Sequence, residues 1–325
     1  MAETKRRPNV LVVLFDDVGF SDLGCYGSEI ATPTIDRLAT GGLRYSGFHT
    51  TAMCSTTRAA LLTGRNHHNV GVGCLANFDS GLPGYRGKIS REAGTLAELL
   101  DPHGYRCYLA GKWHVTPLTE TGATGPYDGW PLQRGFHRFY GFLDAETDQY
   151  APELVYDNHH VDPPATFEEG YHLSADLADK TVEFLRDHRF GIPDEPWLAW
   201  LAFGACHAPH QAPRELIDHY DAVFAKGWDV TRQERLAARS RWGWSRPAPS
   251  CRPGTNRCGR GTTTAPTSDG CSPASRPPTQ PCSTTPTSSW RRSSPSSRSP
   301  TSSTTRWSWS CRTTVPPRRA DPRAS

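Results

Sequence analysis

From Arg241 to Ser325 the chain contains no Leu, Ile, Met, Phe, Tyr, Glu, Lys or His, and Ser, Thr, Pro, Arg and Gly dominate. Such a segment cannot bury enough apolar surface to offset the conformational entropy lost on folding, so it is expected to be disordered. Any core must come from the residues before it. The chain therefore divides into residues 1–236, a folding unit, and 237–325, a low-complexity tail. Trp and Cys nevertheless persist in the tail, which is unusual for a disordered segment. Arg, Ser, Thr and Pro also dominate when GC-rich DNA is read out of frame. If the codons start one base earlier, each Trp followed by a Ser with a TCN codon yields Val. The stretch Arg306 to Pro317 then permits Leu-Val-Leu-Val-Leu-Ser-Asp-Asn-Gly-Ala-Ser, a buried-strand pattern followed by Asp-Asn-Gly. A change of reading frame near residues 237–241 is the expectation that explains both the composition and this hidden pattern.

The preceding residues read as an α/β fold. Asn9 to Phe15 is a continuous apolar run, as expected for a parallel strand buried on both faces. Pro33 suits the first position of a helix that runs through Leu38, with Gly41 as its stop. Thr95 and Glu98 form a capping-box pair ahead of Leu96, Leu99 and Leu100. Tyr105–Ala110 and Pro196–Phe203 are two further strands, and Ser174 is expected to cap a helix carrying Leu177, Val182, Phe184 and Leu185. Alternating strands and helices argue for a mostly parallel sheet with helices on both faces.

The formal net charge of +3 is too small to argue for nucleic acid or a membrane surface as partner. No apolar run approaches the roughly 20 residues that span a bilayer. The basic N-terminus leads into a short apolar stretch that meets Asp16 and Asp17, unlike a signal peptide, so a cytoplasmic location is expected. The ten cysteines show no zinc-type spacing. His67-His68 and His159-His160 look like ligand pairs but lack an evident third ligand, and are read as surface or rim residues.

Chemistry concentrates in four places. Cys54 leads a small-residue loop into the apolar-periodic run that ends at Arg65, with Arg58 four residues on. That spacing stacks two side chains on one helix face. A helix N-terminus there lowers a thiol pKa and attracts anions. Asp16 and Asp17 follow the first strand directly, where open α/β sheets bind ligands. Two adjacent carboxylates there need a partner or a cation, and hard oxygen donors favour Ca2+ or Mg2+. Lys112 and His114, after the second strand, point the same way if extended. His207 follows the third strand, with Pro209 and Pro213 beyond it. Asp22 and His210 are read as structural.

These four segments resemble the sulfatases. The run Cys54–Arg65 resembles the family signature, Asp16-Asp17 its opening metal motif, and Gly111–His114 its Gly-Lys-Trp-His motif. The His207 segment resembles a further one, and all four stand in the family's order. The resemblance implies an alkaline-phosphatase-like fold. It also implies oxidation of Cys54 to formylglycine by a formylglycine-generating enzyme, so that a hydrated aldehyde at position 54 attacks the sulfur of a small-molecule sulfate ester. Asp16, Asp17 and position 54 would bind Ca2+, or Mg2+. Arg58 would orient the nucleophile, Lys112 and His207 would neutralise sulfuryl oxygens, and His114 would take the hydroxyl proton as sulfate leaves. The family supplies its remaining metal ligands, an Asp-Asn pair, and a later lysine from its C-terminal third; here the pair exists only in the shifted frame. Thr56 stands where the family has Pro. A phosphonate or phosphodiester hydrolase on the same scaffold, and an inactive truncated product, are the alternatives.

Overall fold

The computed structural model describes residues 7–241, so residues 237–241 of the expected tail are described, within a helix, while the rest of it and the hidden-frame strand lie outside the described residues. In chain order the elements are β1 (Val10–Leu14), α1 (Pro33–Gly41), α2 (Cys54–Thr63), α3 (Leu96–Leu100), β2 (Arg106–Lys112), β3 (Arg138–Phe142), β4 (Leu154–Tyr156), β5 (His159–Val161), α4 (Leu173–Gly191), β6 (Trp197–Ala202), α5 (Arg214–Phe224) and α6 (Gly227–Arg241). The strands form one sheet in the order β1-β6-β2-β3-β4-β5. β1, β6, β2 and β3 run parallel, while β4 and β5 add an antiparallel edge. This is the expected mostly parallel α/β arrangement.

Alternation along β2 and β6 divides the core in two. Cys107, Leu109, Leu198, Trp200 and Ala202 face Ala59 and Leu62 of α2 and Ala97 of α3. Tyr108, Ala110 and Leu201 face Leu173, Leu177 and Phe184 of α4. Helices thus cover both faces of the sheet centre. The capping box at α3 forms as read, with the Thr95 side chain accepting from Glu98 N and the Glu98 side chain accepting from Thr95 N. α4 begins one residue before Ser174 and is capped instead by His172, whose Nδ1 accepts from Ser174 N. Val182 lies on its exposed side. Asp22 pairs with Arg235 of α6 and accepts from Gly19 N.

β1 departs from expectation. Its apolar run predicts burial on both faces, yet Leu11 is 53% and Val13 44% exposed. The register explains this. Val10, Val12 and Leu14 pair with Leu198, Trp200 and Ala202 on the α2 face, whereas Leu11 and Val13 pair with Ala199 and Leu201 on the α4 face. α4 packs over β2, β3 and β6, and among the described residues no strand lies beyond β1. Leu11→Ala is therefore expected to cost less than about 1 kcal/mol, whereas Leu109→Ala in the covered core costs about 2–5 kcal/mol. Urea unfolding of both variants checks this, and equal losses would show that Leu11 is covered in solution.

Candidate active site

The site forms where the chain leaves the carboxyl ends of β1, β6 and β2. The exits of β1 and β6 are laced together: Phe203 N donates to Leu14 O (2.9 Å), Asp16 N to Ala205 O (3.1 Å) and Cys206 N to Asp16 O (2.9 Å). Phe15 stacks on Phe203 at 5.4 Å between centroids. This lacing brings Asp16 and Asp17 beside His207, whose Nε2 lies 3.8 Å from Asp17 Oδ2. Asp17 adopts φ +58° and His114 φ +53°, a region non-glycine residues seldom occupy and one that recurs at functional sites.

Asp16 is the buried centre of the cluster. Lys112 Nζ lies 2.5 Å from its Oδ2, and Arg58 Nη2 lies 3.5 Å from its Oδ1. All three side chains are almost wholly buried. Lys112 is placed by Gly111, at φ +110°, where a Cβ would sit 1.8 Å from Ala202 O; only glycine lets β2 approach β6 so closely there. Arg58 Nη1 donates to Lys112 O at 2.8 Å. Burial lowers the Arg58 pKa, opposed first by Asp16. Arg58 Nε is buried without a hydrogen-bond partner.

Cys54 is the first residue of α2. Its Sγ lies 3.1 Å from Nδ1 of His114, which binds the α2 N-terminus to the loop after β2. Thr56 is buried; its hydroxyl donates to Met53 O at 2.9 Å and contacts Thr51 Oγ1 at 2.5 Å. Trp113 anchors the same loop from the other side, with its Nε1 donating to Gly129 O at 2.9 Å. Asp16, Cys54, Arg58, Lys112 and His114 thus share one cluster. Asp17 and His207 form its rim, Asp17 with its side chain 63% exposed. His210 is exposed and its Nδ1 bonds Cys206 O. His67 bonds Val72 O, and His159 and His160 are exposed on β5. Sequence reasoning missed Ser55, Asn77 and Asp144, which surround His114 or its partner; no spacing pattern connects them.

Asp16 and Asp17 supply hard oxygens, but Asp16 is already engaged by two cations. Among the described residues, no group of three or more His, Cys, Asp or Glu side chains is placed to hold a metal ion. Ca2+ prefers six to eight oxygens, so the described residues do not by themselves make a site for it.

His114 sets a pH dependence. Burial, reinforced by Lys112, Arg58 and His207, pulls its pKa from 6.5 down to about 2. Below pH 6.5 the unfolded chain takes up a proton that the folded ring refuses. Its stabilising share is therefore full above that pH and is lost as the pH falls, by about 1.4 kcal/mol per unit. Between pH 7 and pH 5 the loss from this ring is about 2 kcal/mol. Urea midpoints at the two pH values should differ more for the wild type than for His114→Gln; equal differences would mean that the ring is solvated.

Comparison with known proteins follows the same lines. The family model described as Sulfatase matches residues 8–266. An uncharacterized sulfatase of Schizosaccharomyces pombe is 35% identical over 260 residues, covering 73% of this chain and 44% of the relative. An arylsulfatase of Klebsiella aerogenes is 31% identical over 248 residues, covering 73% and 51%. The chain spans about half the length of these curated relatives. The crystal structure of Ps i-CgsB superposes with a TM-score of 0.57 at 24% identity, over 74% of this chain and 56% of that one, a likeness of fold. With motifs, fold and relatives in agreement, this chain belongs to the sulfatase family.

Proposed function

We propose that this site is that of a sulfuric ester hydrolase of the arylsulfatase type, acting on small-molecule sulfate monoesters. The observation that carries the reading is the pairing of Arg58 and Lys112 on the buried Asp16 beside the Cys54–His114 contact, whose imidazole feels both cations, with an unsatisfied Arg58 Nε–H left in the buried cluster. A buried donor without a partner is costly, and an anionic sulfuryl oxygen would satisfy it. The similarity to the Klebsiella aerogenes arylsulfatase supports the same substrate class.

Formylglycine at position 54, installed by a formylglycine-generating enzyme, would supply a hydrated aldehyde as nucleophile. The chain's own residues do the rest. Arg58 and Lys112 gather the charged ester oxygens in a water-poor site, where fixed cations act strongly. His207 at the rim faces the departing alcohol. His114, kept neutral by burial, offers Nδ1 to a proton at position 54. Asp16 and Asp17 are the two carboxylates that the described part would bring to Ca2+, or Mg2+. The remaining ligands belong to the segment expected in the shifted frame.

The ratio of turnover on an aryl sulfate to that on a phosphate diester tests the substrate class, measured on protein co-expressed with the oxidising enzyme. A preference for the diester would replace this reading with a phosphodiester hydrolase.

A further inference from the structure

His114 is 1% exposed, and every polar atom of its ring has a partner. Nδ1 faces Cys54 Sγ at 3.1 Å. Nε2 faces Asn77 Oδ1 at 2.7 Å and Ser55 Oγ at 3.1 Å. Ser55 Oγ itself accepts the Ala76 N–H at 2.9 Å. Asn77 is held from its far side, where its Nδ2 donates to Asp144 Oδ1 at 2.9 Å.

The chain brings these groups together through the sheet. As β2 and β3 end side by side, Trp113 N donates to Phe142 O (2.9 Å) and His114 N to Leu143 O (3.1 Å). Asp144 is the next residue, so it emerges beside the histidine. Asn77 follows Ala76, which Ser55 at the start of α2 ties down. Three segments distant in sequence thus meet at one imidazole.

The donor and acceptor inventory decides where the proton sits. A carboxylate only accepts, so Asp144 must face the amide nitrogen of Asn77. The amide oxygen is then the atom turned toward His114. An oxygen 2.7 Å from a bare ring nitrogen would set lone pair against lone pair, so Nε2 carries the proton. Flipping the amide would only move the repulsion to Asp144, 2.9 Å away. The arrangement that suits both Asn77 and Asp144 leaves Nδ1 bare toward position 54, and the Ser55 hydroxyl accommodates it.

We propose that Asn77, anchored by Asp144, is a positioning residue that fixes His114 as the Nε2–H tautomer and presents its Nδ1 lone pair to position 54. The placement of the proton stands on hydrogen-bond geometry; its use in sulfate ester hydrolysis rests on the function proposed above.

Histidine-selective 15N labelling of the full chain tests the proposal without any turnover measurement, so its failure is distinguishable from failure of the functional reading. Loss of a signal set in His114→Gln identifies the His114 ring. In the wild type at neutral pH, two-bond proton–nitrogen spectra should show the proton on Nε2. Asn77→Leu removes the acceptor, and Asp144→Leu frees the amide to turn. Each should shift the tautomer ratio toward Nδ1–H by about tenfold or more. The exchange Asn77→Asp with Asp144→Asn keeps an acceptor against Nε2 and should restore the wild-type pattern. A wild-type proton on Nδ1 would overturn the proposal. So would an unchanged pattern in Asn77→Leu or, should that variant not fold, in Asp144→Leu.

Discussion

Asp16→Ala is expected to destabilise the folded chain by about 3–5 kcal/mol, the range seen when one member of a buried ion cluster is removed. Lys112 Nζ and Arg58 Nη2 both lie against the Asp16 carboxylate, 2.5 and 3.5 Å away. Without it, two cations remain in a buried site with no anion between them; Asp17 is too exposed to serve in its place. Desolvated charges that lose their partner cannot recover the lost hydration. Lys112→Met should cost less, because Asp16 keeps Arg58. Pairing Asp16→Leu with Lys112→Met should recover part of the loss, since an apolar pair of similar size can replace a buried ion pair. Urea unfolding in chelator, so that no divalent cation contributes, compares the three variants with the wild type. Equal midpoints for Asp16→Ala and the wild type would show that these charges are hydrated in solution.

What the sequence disclosed followed a physical pattern. Short-range signals were legible: the strand-forming run before Asp16, the capping box at Thr95, and Cys54 and Arg58 in one helical segment. Each is set by neighbours a few residues away, so periodicity and capping chemistry suffice. Long-range coverage was not legible. A continuous apolar run predicts two covered faces, but whether Leu11 and Val13 have a cover depends on which strand lies beyond β1. The same limit applies around the site. The Lys112–Asp16 contact spans 96 residues and the Asn77–Asp144 contact 67. Asn77 carries no mark in its own neighbourhood; its place follows from β2 and β3 ending together. β3 itself was missed because Gly141 interrupts a short aromatic run, although that glycine sits in register against Gly111.

This chain is expected to turn over aryl sulfates barely at all, even with position 54 oxidised, whereas a chain read in the shifted frame proposed from near residues 237–241 should be active. In that restored protein, Cys54→Ala should lose at least about 1,000-fold in turnover, as expected for removal of a nucleophile. Sequence places Cys54 and Arg58 in one helix, and the fold turns the start of that helix toward His114, Lys112 and Asp16. A helix N-terminus and a guanidinium in one cluster suit a tetrahedral anion. Such a site can bind sulfate and still fail to hydrolyse its ester, because the nucleophile must also be held in attack geometry, where small misplacements cost orders of magnitude. Asp16 and Asp17 supply only part of the six to eight oxygens that Ca2+ prefers. Mass spectrometry of the peptide containing position 54, after co-expression with the oxidising enzyme, reports conversion and shows whether Thr56 permits it. Turnover is then measured for this chain, the frame-restored chain and the restored Cys54→Ala variant. Undiminished turnover by that variant would remove Cys54 from the chemistry; strong turnover by the present chain would mean that it already completes the site without the restored segment.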